Sequence, residues 1–177
     1  MKKFRILLIL LAVISIGVYS CKDDSDDNND VVSQQDRDFA KNAALSNIAE
    51  ISLGELALQR ADHDSVLAFA RMMISDHNAS RNQLDSIAKR LNVVLPTDLD
   101  SKHVALRTRL MGLNNAAFDT AYINSQFSDH LTARTIHQTE IDMGNNKDLV
   151  DYAKKKLTVI NKHFQKASDI RELLKKR

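Results

Sequence analysis

Only four glycines and one proline interrupt a chain of 177 residues. Sheets of many short strands need glycine at positive φ and proline at their turns, so a β-sandwich, barrel or propeller lacks its punctuation here. The expected fold class is therefore all-α. The length suits one core rather than two ordinary domains. A single cysteine excludes an internal disulfide framework and any zinc cluster built on cysteine. No GxxxxGK, GxGxxG, HExxH or GxSxG string occurs, so phosphate-binding loops, zinc proteases and serine hydrolases have no local motif in their favour. Nothing in the sequence argues for an enzyme.

The N-terminus carries an address. Lys2, Lys3 and Arg5 precede the apolar run Ile6 to Gly17, the charged and hydrophobic parts of an export signal over residues 1–20. The run is shorter than the about 20 apolar residues of a permanent span. Val18-Tyr19-Ser20-Cys21 resembles the lipobox of bacterial lipoproteins, which implies acylation of Cys21 and a membrane partner reached through the lipid anchor. An ordinary signal peptide with an incidental cysteine is the plainer alternative. Stable anchoring needs more than one acyl chain, a condition that a triacylated Cys21 meets. Residues 21–33 read as a tether: Lys22 to Asp30 hold five Asp, one Lys and no apolar residue, a composition that cannot fold. Lys22-Asp23-Asp24 resembles the acidic surface-export tag of one group of Gram-negative bacteria, and a solvated spacer is the equal alternative. The chain is thus expected in the cell envelope as an outer-membrane lipoprotein, facing either the periplasm or the outside.

Removing Lys2, Lys3 and Arg5 with the signal takes the formal charge from +2 to about −1. The sign is segregated, because residues 147–177 hold ten bases against four acids. A basic stripe of this kind suits an anionic glycan or lipid, although lysines around a helix are commonly just its solvated face. Nucleic acid is not expected as a partner of an exported chain.

The remainder, residues 34–177, reads as one helical bundle domain. Ser33 caps a first helix over about Gln34 to Arg60, where Phe39, Ala43, Leu53 and Ala57 recur at helical spacing. After a turn at Ala61 to Asp64, a second helix presents Val66, Phe69, Ala70, Met73, Leu84, Ile87, Ala88 and Leu91 on one face. Pro96 ends this hairpin. Residues 98–112 form a short crossover helix with Leu99, Val104, Leu106, Leu110 and Leu113 available for burial. A third long helix spans about Ala116 to Met143, stopped by Gly144 and Asn145. Asp148 caps or leads the last, with Leu149, Ala153, Leu157, Ile160, Phe164, Ala167 and Leu174 inward. Two long hairpins joined by a crossover make a four-helix bundle, with the order of the hairpins left open.

Several polar residues fall on the inward faces at 100° per residue. Glu50, His77, His130 and His163 lie near the midpoints of four helices of about 28 residues, so they share one layer whichever way the second hairpin runs. Such a layer suits a transition metal, zinc, iron or copper, or a small ligand. Asn47, Asp76, Gln126 and Asp129 are the expected outer partners. The residues three before His77, His130 and His163 are Ile74, Phe127 and Ile160, which argues against a di-iron oxidase and its Glu-x-x-His pairs. The alternative is a polar core layer that fixes helix register, with Glu50 paired to His77 and Asp76 or Asp129 paired to another imidazole. His63 and His103 are expected in solvated connectors. Met72 and Met73 are read as packing. Asp64-Ser65-Val66, Asp85-Ser86-Ile87 and Asp119-Thr120-Ala121 resemble short O-glycosylation acceptors, and helix capping accounts for them equally well.

The segments Asn47-x-x-Glu50-Ile51-x-x-Gly54, Phe69-Ala70-x-x-Met73-x-x-Asp76-His77, Leu95-Pro96, Phe118-Asp119-x-x-Tyr122 and Asp129-His130 resemble an exported bacterial family, domain of unknown function 4142. Leu157 followed by His163 belongs to the same pattern. The resemblance covers residues 36–170 and implies a ferritin-like helical bundle in the cell envelope, with no activity attached. The family usually places proline just after the position of Leu157, where this chain has Thr158, so its last helix is expected to be straighter. Two functions follow as expectations: a non-enzymatic envelope lipoprotein that interacts with another envelope component, or a metal- or ligand-binding bundle built on Glu50, His77, His130 and His163.

Overall fold

The computed structural model describes residues 31–176. The export signal, the candidate lipidation site Cys21 and most of the acidic tether lie outside the described residues. Five helices follow in order: α1 (Gln34–Arg60), α2 (Asp64–Arg90), α3 (Ser101–Met111), α4 (Asn115–Met143) and α5 (Lys147–Leu174).

Four of the five helices start at a side chain that takes up exposed N–H groups; α4 starts after Asn114, whose side chain makes no such bond. Ser33 and Asp36 form a reciprocal capping box, the Ser33 hydroxyl accepting from Asp36 N–H at 3.1 Å and the Asp36 carboxylate from Ser33 N–H at 2.7 Å. His63 caps α2 and His103 is held by the cap of α3, so neither is a free, solvated side chain. The ring of His63 accepts from Ser65 N–H at 3.0 Å, and that of His103 sits 2.6 Å from Asp100, the cap of α3. The last helix is capped by Asn146, whose side chain accepts from Asp148 and Leu149 N–H, so Asp148 only leads it.

In α1 and α2, and again in α4 and α5, consecutive helices pair as hairpins; across them α1 packs on α4 and α2 on α5. End-to-end contacts set the direction. Gln35 reaches Glu140, Arg60 reaches Asn114 and Arg90 reaches Asp148, so every long helix runs antiparallel to both neighbours. The extended segment after α2 and the short α3 carry the chain back along the bundle, making the all-α four-helix bundle expected from periodicity. Within α3 only Leu110 is fully buried, and Val104 is 49% exposed, because the crossover lies over the bundle instead of entering it. Gly54 marks the closest approach of the first hairpin: a Cβ there would sit 2.8 Å from Ile74 Cγ1.

The apolar interior comes in two blocks. One gathers Leu53, Phe69, Met73, Phe118, Tyr122 and Ile170; the other gathers Phe39, Ala43, Leu84, Leu149 and Tyr152. On every long helix the residues separating the blocks include buried polar ones: Asn47 and Glu50, His77 and Ser80, Gln126 and His130, and His163.

Candidate functional site: a three-histidine layer

His77 from α2, His130 from α4 and His163 from α5 are 7%, 1% and 2% exposed, and one ring nitrogen of each lies within 4.8 Å of the other two. Their ring centroids are 5.4 to 6.0 Å apart. Each imidazole is held from behind by an acceptor. Asn47 Oδ1 lies 2.9 Å from His77 Nδ1 while the Asn47 amide nitrogen donates to the Tyr152 hydroxyl at 3.3 Å, which makes His77 Nδ1 the donor. The backbone carbonyl of Gln126 takes the Nδ1–H of His130 at 2.8 Å. The Asp76 carboxylate takes the Nε2–H of His163 at 2.9 Å. An imidazole with one N–H engaged presents a lone pair on its other nitrogen. Those other nitrogens are His77 Nε2, His130 Nε2 and His163 Nδ1, all buried and without a protein partner.

Charge cannot relieve this crowding. Burial pushes His77 well below the usual imidazole range, the neighbouring His130 and His163 adding to the effect, and burial also holds His130 and His163 low. The rings are neutral at pH 7, so the three unpartnered nitrogens are acceptors within a cluster whose ring centroids lie 5.4 to 6.0 Å apart. A single water offers two protons and leaves one acceptor bare; a cation satisfies all three. Neutral imidazoles oriented by an amide, a carbonyl and a carboxylate are the arrangement by which proteins hold transition metals. Metal–nitrogen bonds near 2.1 Å bring donor atoms to roughly 3.4 Å apart, so small rotations of the rings would complete the closure.

Glu50 is not among the converging ligands. Its Oε1 lies 3.8 Å from His130 Nδ1, on the side of the ring already bonded to Gln126, so it neighbours His130 and not His77. Burial, assisted by the charge of Asp129, raises its carboxyl to about 8, which keeps it protonated at neutral pH. Asp129 turns outward to Lys102 at 2.6 Å and is no partner of an imidazole. Asn47, Asp76 and Gln126 do contact the three rings, Gln126 through its backbone.

Two groups on the same faces escaped the sequence reading as site components. His137 donates to the Ala133 carbonyl at 2.8 Å, and with Lys156 it lines a cavity above His77 and His163. Buried carboxylates also stand at the ends of the bundle, Asp36 and Glu140 at one and Asp119 at the other. The signal for His137 and Lys156 was present in the spacing, since His130 and His137, and likewise Lys156 and His163, are seven residues apart on one helix.

Among the described residues no helix is long and apolar enough to cross a membrane. No curated protein matches the chain. Two solved structures share its fold. A DUF305 fragment from Deinococcus radiodurans superposes with a TM-score of 0.71 at 11% identity, over 80% of this chain and 97% of that one. A DUF305 protein of Streptomyces coelicolor, described as secreted, gives 0.68 at 10% identity, over 79% and 93%. At such identities the likeness is one of fold. The profile of the family described as Domain of unknown function (DUF4142) matches residues 22–170, and the chain belongs to that family.

Proposed function

We propose that this protein is an exported, lipid-anchored bundle that binds one divalent transition-metal ion, copper or zinc, on His77, His130 and His163. The observation that carries the reading is the set of three buried ring nitrogens left without partners while the opposite nitrogen of each ring is engaged. An all-imidazole donor set favours copper, zinc or nickel over calcium or magnesium, which take oxygen ligands, and copper binds most tightly in the divalent series. Three protein ligands leave a coordination position open. A layer built only to fix register would close its hydrogen bonds internally, as Asp36 and Asp119 do at the bundle ends. The tether and Cys21 would hold the ion-binding domain beside the membrane.

The test is metal content of tag-free protein together with thermal stability against added Cu²⁺ or Zn²⁺. One ion per chain and a melting temperature that rises with ion concentration are expected, and both should vanish in His77→Ala and His163→Ala. Unchanged melting, with no retained ion in wild type, would overturn the reading in favour of a purely structural layer.

A further inference from the structure

Where α2 meets α5 lies a cavity of about 150 Å³, with Ala43, Val159 and Ile160 in its apolar wall. A chamber of that size holds a guest of about six non-hydrogen atoms, the bulk of benzene. The crossover α3 packs on α1 and α4, and the cavity opens on the other seam, where the lining residue Ala79 is exposed and Asp76 and Lys156 are half-buried. Its charges come as one pair. The imidazoles of the lining are neutral, burial holding His77 and His163 low and pushing His137 down to about 4, so Asp76 from α2 and Lys156 from α5 carry all of the charge. The two share a mouth without closing on each other. Burial draws the Lys156 ammonium below its usual range and the Asp76 charge opposes that pull. Among the described residues, however, this ammonium makes no ion pair and stands 5.5 Å from the Tyr152 ring centroid. Asp76 commits Oδ2 to His163 at 2.9 Å, which leaves Oδ1 for another donor.

We propose that this cavity binds a small zwitterionic α-amino acid, glycine or alanine, with its ammonium on Asp76, its carboxylate on Lys156 and any side chain toward Ala43 and Ile160. The lining decides the ligand class. A lone anion meets Lys156 and is repelled by Asp76, a lone cation meets the reverse, and a guest that carries both charges a short distance apart completes both partners. The apolar wall strengthens both contacts by keeping water from them. The volume sets the size limit, so leucine and larger amino acids should not enter. None of the three unpartnered ring nitrogens takes part, and the site stands independently of the metal-binding reading.

The experiment titrates glycine, L-alanine and two single-charge probes, acetate and methylammonium, into isotopically labelled, chelator-treated protein and follows the amide chemical shifts. Saturable shifts centred on Ala79, Ser80 and Val159 are expected for the two amino acids. Acetate and methylammonium, each lacking one charged contact, should bind about tenfold more weakly, and Lys156→Met should weaken glycine by the same factor, the scale of one charged hydrogen bond. Asp76→Asn, whose amide oxygen can still accept from His163, should weaken glycine while tightening acetate, an opposed response that a damaged fold would not give. Ala79→Trp, at the exposed rim, should block both amino acids. No saturable shift with glycine or alanine, equal affinity for acetate, or unchanged glycine affinity in Lys156→Met overturns the proposal. Because metal is removed throughout, each of these results leaves the three-histidine reading where it stood.

Discussion

The bundle buries polar side chains in two kinds of place, at its ends and at mid-height, and treats them differently. At one end Asp36 accepts from Ser33, Asn145 and Asn146 N–H at 2.7, 2.9 and 3.0 Å, tying the start of α1 to the α4–α5 turn. At the other, Asp119 accepts from Asp62 and His63 N–H at 3.1 and 3.0 Å and holds the α1–α2 turn. Both are fully buried, and both use their oxygens on backbone donors that would otherwise go unpaired. At mid-height the imidazoles are equally buried, and each keeps a bare nitrogen. Burial alone therefore does not mark a site. What separates architecture from a binding centre is whether the hydrogen bonding is closed from within.

Removing a converging ligand should produce the largest change. His163→Ala is expected to lower metal affinity by more than the 10–100-fold typical of losing an outer partner, with little loss of stability in metal-free protein, as read by calorimetric titration and chemical unfolding. The ends should respond in the opposite sense. Asp119→Ala leaves the N–H groups of Asp62 and His63 without their carboxylate, at about 1–3 kcal/mol each. A fall in melting temperature of roughly 5–10 °C with unchanged metal affinity would sharpen the contrast, and a matching loss of affinity would break it.

A smaller effect is expected from Tyr152→Phe. The hydroxyl accepts from Asn47 and lies 2.7 Å from Ser80 Oγ, and its loss frees the amide that orients His77. Metal affinity should drop by about tenfold, while the ring keeps its packing beside Phe39 and stability falls by about 1–3 kcal/mol for the buried amide left without an acceptor.

The smallest effect concerns the one end carboxyl that departs from the pattern. Glu140 keeps an oxygen without a partner, and burial, with Asp36 beside it, raises its carboxyl to about 8. The folded state holds this proton and the unfolded state releases it near 4.5, so the contribution of Glu140 to stability is complete below pH 4.5 and is lost as pH rises to about 8. In Glu140→Gln that decline should disappear. The difference in stability between variant and wild type should therefore shift in favour of the variant from pH 5 to pH 8, as measured by urea unfolding; a difference that stays constant would contradict it.

Much of this was legible in the chain. Scarce glycine and proline, the cap at Ser33 and the apolar spacing located the long helices. Counting residues from helix ends brought His77, His130 and His163 to one height, because a rise of 1.5 Å per residue fixes height whatever the rotation of the helices. Rotation was harder. Asp129 shares a helix with His130, yet it faces Lys102 of the crossover, whose path over α4 no periodicity records. Glu50 was placed at the correct height, but whether it meets His77 or His130 depends on which helices are neighbours. The burial of Asp36, Asp119 and Glu140 left no mark in the periodicity, since it comes from turns folding over them.

The central claim is that three imidazoles from three helices close on a single ion. Anomalous diffraction from crystals grown with Cu²⁺ or Zn²⁺ tests it most directly. The account predicts one interior peak about 2.1 Å from His77 Nε2, His130 Nε2 and His163 Nδ1. An interior without such a peak, its ring nitrogens bridged by ordered waters while the ions sit on surface carboxylates, would contradict it.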